Sequence, residues 1–218
     1  MTLEIPTMFQ TDRRTVLLGL TATALLPLTA TAQEGGLYDA PPPPGSAFVR
    51  VVDATQGTNR EASIGGQQTE LSADWVSDYL IIPGGDHAVQ LGAATGNVTL
   101  DAGEFYTVVM SDNGARLVAD DVVKNPARAG LYFYNLSEAD TVTLAAELKG
   151  KSAPIFQDVQ AGAKEFREVN ALDVTLKVMQ GENALVQMDA VALRRKGGFS
   201  VFYFGDGQAA WITNGMAG

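Results

Sequence analysis

From Ala47 onward no segment of this chain sustains an apolar repeat of helical period, and this absence constrains the fold more than any other feature. Short apolar or alternating runs end instead at glycine, proline or Asn/Asp turns. Phe48 to Val52 stops at Asp53, Val76 to Ile82 stops at Pro83-Gly84-Gly85, and Val89 to Leu91 and Val98 to Leu100 follow. Phe105 to Met110 then turns at Asp112-Asn113-Gly114, a hairpin signal because its central residues tolerate positive φ. The pattern predicts an all-β chain.

The stretch Val118 to Pro126 loses the alternation, and Asn125-Pro126 favours a turn. The pattern then restarts at Leu131 to Asn135. It continues through Val142 to Ala146, Lys164 to Glu168, Leu172 to Met179, Leu185 to Met188, Phe199 to Phe204 and Ala209 to Thr213. The halves also rhyme. Ser46 to Asp53, running into Asp53-Ala54-Thr55, resembles Ala129 to Ser137, which ends in Asn135-Leu136-Ser137. Gly103-Glu104-Phe105-Tyr106-Thr107-Val108-Val109 resembles Gly197-Gly198-Phe199-Ser200-Val201-Phe202-Tyr203, and each is followed by a Gly turn and a final short strand, Arg116 to Val118 and Ala210 to Thr213. A duplicated β-sandwich explains the spacing, and a single large sandwich is the rival. The expected organisation is a signal peptide over 1–32, a Pro-rich lead over 33–45, an N-terminal β-sandwich over 46–119, a linker over 120–128 and a C-terminal β-sandwich over 129–218.

The amino-terminal segment reads as an export signal. Arg13 and Arg14 supply the positive end, Val16 to Ala30 supplies an apolar run, and Ala30-Thr31-Ala32 supplies an Ala-x-Ala cleavage site before Gln33. The run falls short of the roughly 20 residues a membrane helix needs. The arginine pair followed by Thr15, Val16, Leu17 and Leu18 looks like a twin-arginine signal, although Asp12 precedes it and the general secretory route is the alternative. The expected location is the periplasm. Pro41 to Pro44 can form only extended polyproline II, a stiff spacer or a docking segment for a partner.

The formal net charge is −10, and removal of residues 1–32 leaves it unchanged, because Glu4 and Asp12 balance Arg13 and Arg14. Nucleic acid and anionic membrane surfaces are repelled at long range by such a protein. The absence of cysteine removes thiol chemistry, iron–sulfur clusters and cysteine zinc sites, so the fold rests on burial rather than disulfides.

No catalytic set is predicted, and no cofactor or metal. The one histidine, His87, follows Asp86, and neighbours on a strand point to opposite faces, so Asp86 is poorly placed to orient it toward a serine such as Ser111. Gly45-Ser46 lacks the setting of a nucleophile elbow, and Asp112-Asn113-Gly114 lacks the remaining ligands of a calcium loop. Asp120 and Asp121 read as a solvated linker. Arg194-Arg195-Lys196 reads as a solvated hairpin tip or, more sharply, as a contact for a carboxylate-bearing polymer or acidic partner. Tyr132-Phe133-Tyr134 and Phe202-Tyr203-Phe204 put large rings on both faces of their strands, so some second surface must cover them. The candidates are the neighbouring domain and a partner protein. Tyr132, Tyr134, Phe202, Phe204, Arg194 and Arg195 are the candidate partner-binding residues.

Several of these residues resemble the alginate biosynthesis protein AlgF family. They are Gly36-Leu37-Tyr38-Asp39, the proline run, Gly45-Ser46-Ala47-Phe48-Val49-Arg50-Val51-Val52-Asp53-Ala54, Pro83-Gly84-Gly85-Asp86, Gly103-Glu104-Phe105-Tyr106-Thr107 and Leu131 to Ser137. The resemblance implies a periplasmic accessory protein required for O-acetylation of alginate. It implies a non-catalytic adaptor between a membrane-bound O-acyltransferase and periplasmic acetyltransferases, with alginate itself as a further candidate partner. Two rival readings are a carbohydrate-binding β-sandwich module and an acetyl-carrying transferase that uses a serine with His87.

Overall fold

The computed structural model of the protein describes residues 41–139 and 141–216. Sixteen strands among them form four four-stranded sheets. In the first sheet β4 (Leu80–Pro83), β1 (Ser46–Asp53), β7 (Phe105–Ser111) and β8 (Gly114–Asp120) lie side by side. Its sandwich partner holds β3 (Gln67–Glu70), β2 (Glu61–Ile64), β5 (Gly85–Leu91) and β6 (Ala94–Leu100).

The second sandwich repeats this arrangement. One sheet runs β12 (Lys164–Asn170), β9 (Arg128–Asn135), β15 (Gly198–Gly205), β16 (Gln208–Thr213). The other runs β11 (Lys151–Gln160), β10 (Thr141–Leu148), β13 (Asp173–Gln180), β14 (Asn183–Ala192). Every strand takes the place held by the strand eight earlier. The parallel pair recurs as well, β1 with β7 and β9 with β15, each joined through the opposite sheet because parallel neighbours cannot be linked by a tight turn. The fold is therefore all-β, with two sandwiches rather than one.

Alternation along the central strands gives each sandwich its own core. Val49 and Val51 point inward with Ile64, Val89, Val108 and Met110 in the first, and Leu131 and Phe133 do so with Leu144, Leu176, Val178 and Val201 in the second. The rhyming polar ends of β1 and β9 are matching side-chain turns. Asp53 Oδ1 accepts the Thr55 N–H at 2.8 Å and its hydroxyl at 2.6 Å, and Asn135 Oδ1 accepts the same two groups of Ser137 at 3.2 and 2.6 Å.

Gly96 is required where β6 passes β8. A Cβ there would lie 2.3 Å from Ala115 Cβ and 3.0 Å from its backbone nitrogen, so the backbone itself would have to move. Gly96→Ala is expected to cost about 1–3 kcal/mol by overpacking, seen as a lower urea midpoint at unchanged slope.

Three strands carry too little apolar signal to be predicted. β2, β3 and β11 are short or strongly polar, and β3 and β11 lie at sheet edges, where exposed side chains and Pro154 are tolerated. Conversely, Val76 to Tyr79 is not strand, since Val76 makes only an isolated bridge to Val52 and β4 begins at Leu80. Asp120 is not solvated either. It closes β8 and is buried beneath the second sandwich.

Candidate functional site: the seam between the sandwiches

The outer faces of the β1/β7 and β9/β15 sheets meet. Val52, Val76, Tyr132, Tyr134, Phe202 and Ala210 form a third apolar cluster there, distinct from the two sandwich cores. The neighbouring domain thus covers Tyr132, Tyr134 and Phe202, while Phe133 and Tyr203 turn into their own core. Phe204 is half-buried at the margin, edge-on to Trp75 with ring centroids 5.9 Å apart.

Arg50 stands at the centre of this seam with 0% exposure, on the face of β1 opposite Val49 and Val51. Its Nε donates to Thr107 Oγ1 at 2.8 Å and its Nη1 to Asn214 Oδ1 at 3.0 Å. Its Nη2 donates to Tyr134 Oη at 2.9 Å and to Ser200 Oγ at 3.0 Å. Asp120 lies 3.7 Å from Nη2 and accepts hydroxyl protons from Tyr79 at 2.7 Å, from Thr107 at 2.6 Å and from Tyr134. The rings of Tyr79, Phe202 and Tyr134 surround the guanidinium, with centroids 4.7, 5.0 and 5.6 Å from Cζ. Burial opposes the Arg50 charge, but Tyr134, Tyr79 and Asp120 outweigh it and hold the group above its ordinary value.

The polar groups of this cluster satisfy one another, with Arg50 and Asp120 both buried, so it joins the domains. Nothing in the sequence pattern marks Thr107, Tyr79 and Asn214, which lie far from Arg50 along the chain, as its partners. The available signal was a lone arginine between Val49 and Val51 in a strand otherwise apolar on both faces.

The other candidates lie apart from the seam centre. His87 is half-buried on β5, its Nε2 2.7 Å from the Pro83 carbonyl oxygen and its ring packed against Gly65. Asp86 turns away and accepts the Thr99 hydroxyl at 2.6 Å. Ser111 Oγ is engaged with the Gly114 carbonyl at 3.3 Å, within its own hairpin. Arg194 pairs with Asp173 at 2.7 Å on the surface, and Arg195 is exposed beside it. Arg13, Arg14, Ala30 and Ala32 lie outside the described residues. Among the described residues no three His, Cys, Asp or Glu side chains come together as metal ligands, and no helix is long and apolar enough to cross a membrane.

Three concavities open on the seam, one of them, of about 430 Å³, lying between the Leu71 to Asp78 stretch of the first sandwich and Ile212-Thr213 of the second. A polar cleft of about 820 Å³ lies where β1 and β9 end, between the β7–β8 and β15–β16 turns. A smaller, more apolar groove of about 190 Å³ lies where β7 and β15 begin.

The fold and seam define a duplicated two-sandwich protein whose halves are bound through a buried ionic cluster. Residues 15–199 match the family model described as alginate O-acetyl transferase AlgF, and the chain belongs to the AlgF family. It is 31% identical over 189 residues to the alginate biosynthesis protein AlgF of Pseudomonas putida, across 84% of this chain and 86% of that protein. With the AlgF of Pseudomonas aeruginosa it shares 31% identity over 168 residues, 76% of each chain. The N-terminal domain of the P. aeruginosa protein, a solved structure, is 33% identical across 36% of this chain and 98% of that domain. The TM-score of that match is 0.28.

Proposed function

We propose that this protein is a periplasmic, non-enzymatic adaptor for alginate O-acetylation, bridging a membrane-bound O-acyltransferase and periplasmic acetyltransferases. Family membership supports the process, and the signal-like segment with Arg13 and Arg14 supports export, by a twin-arginine-like route. The observation that carries the adaptor reading is the setting of the one histidine. Acyl transfer by a serine needs a base hydrogen-bonded to the nucleophile and oriented from behind. Here the His87 Nε2 meets a backbone carbonyl and Asp86 is committed to Thr99. The net charge of −10 favours protein partners over a uronate polymer, which it repels.

The test is complementation in the producing bacterium. Deletion of the gene is expected to abolish alginate acetylation, His87→Ala to restore it fully, and the tagged protein to co-purify with a periplasmic acetyltransferase. Loss of acetylation in the His87→Ala strain, together with His87-dependent hydrolysis of a small acetyl ester by purified protein, would establish the enzymatic alternative.

A further inference from the structure

Beside the seam residues Tyr79, Tyr132 and Asn214, the groove of about 190 Å³ is lined by side chains that take no part in the buried cluster. Its walls are Tyr79 and Phe105 from the first sandwich, Val122 and Val123 from the connecting segment, and Tyr132 and Met216 from the second. Val122 and Met216 are 49% and 44% exposed, two of the four large hydrophobic side chains found exposed among the described residues. Their meeting on one rim is a local apolar excess of the kind that marks contact sites. The volume, about 190 Å³, is below the several hundred Å³ typical of small-molecule pockets but suits one inserted side chain.

Charge narrows the occupant further. The groove's one acidic lining residue, Asp121, is already paired with Lys164 at 2.5 Å. Its one basic lining residue, Lys196, is exposed and has no carboxylate within ion-pair range among the described residues. The Lys196 backbone is fixed in the left-handed region at φ 61°, and its N–H donates to the Arg128 carbonyl at 2.8 Å. An unpaired cation thus lines an apolar slot, in a protein whose overall charge repels extended polyanions.

We propose that this groove docks a segment of a partner protein that inserts one bulky apolar side chain between Val122 and Met216 and sets a carboxylate against Lys196. The inference deepens the adaptor reading and rests on it for its biological meaning.

A photo-crosslinking amino acid placed singly at Val122, Met216, Leu148 or Trp211 of the full chain, in the producing bacterium, tests it. The last two positions are exposed apolar controls that do not line the groove. Val122 and Met216 are expected to give the same protein adduct, identified by mass spectrometry, and the controls none. Lys196→Glu should lower the yield about tenfold, as loss of roughly 1.4 kcal/mol would. Equal adducts from all four positions, adducts only to lipid or polysaccharide, no adduct from the groove, or indifference to Lys196→Glu would overturn the proposal. An adduct to a protein outside the acetylation machinery would sustain the groove and sink the adaptor role. An acetyltransferase captured only through Leu148 or Trp211 would do the reverse.

Discussion

Arg50→Met is expected to lower the stability of the protein by about 3–5 kcal/mol, as breaking a buried ion pair from one side generally does. The methionine fills much of the space, so the loss is mainly electrostatic. Asp120 would stay buried with its hydroxyl donors but no cation, and Ser200 and Asn214 would each lose the guanidinium proton that now reaches them. For a protein of this size such a loss corresponds to a fall of about 10 °C in Tm. A second signature distinguishes the seam from either core. Each sandwich has its own apolar core, so weakening the contact between them should split one calorimetric transition into two. The double variant Arg50→Met with Asp120→Asn should lose less than the sum of the two single changes, because the second change removes the charge that the first leaves unpaired. Additive losses, or a melt that keeps its midpoint, would mean that the ion pair does not hold the sandwiches together.

The sequence makes the duplication legible but leaves the seam largely hidden, for a physical reason. Asp53-Ala54-Thr55 and Asn135-Leu136-Ser137 build the same local turn, so short-range chemistry exposes their equivalence. β3 and β11 escape notice because an edge strand needs only backbone pairing and keeps polar side chains in water. Rings on both faces of Tyr132-Phe133-Tyr134 show that something must cover β9. They do not show that the cover carries an arginine, because Arg50 meets Tyr134 across 84 residues of chain. A charged residue in a strand ordinarily marks a wet face, and here it marks a dry one. The groove is hidden for the same reason, since Tyr79, Lys196 and Met216 come together only when the two sandwiches pack.

The same burial makes the protein vulnerable to alkali. Tyr79 and Tyr134 are held well above the ordinary phenol value, first by burial and then by the nearby Asp120 charge, with Arg50 opposing. Folded, both keep their protons at a pH where the unfolded chain releases them, so the folded state binds more protons and stability falls as pH rises. The contribution is fully present below the unfolded value of 10.0 and is lost progressively above it. Each phenol contributes a slope of about 1.4 kcal/mol per pH unit, so the pair gives about 3 kcal/mol per unit. Urea unfolding followed between pH 9 and pH 12 is therefore expected to show a plateau that breaks near pH 10. Tyr134→Phe separates this effect from general lysine and tyrosine titration. It should lower stability at neutral pH, because Arg50 and Asp120 each lose a hydroxyl partner, yet remove about half of the slope assigned to the two phenols. An unchanged alkaline slope in that variant would show that Tyr134 ionises as freely folded as unfolded.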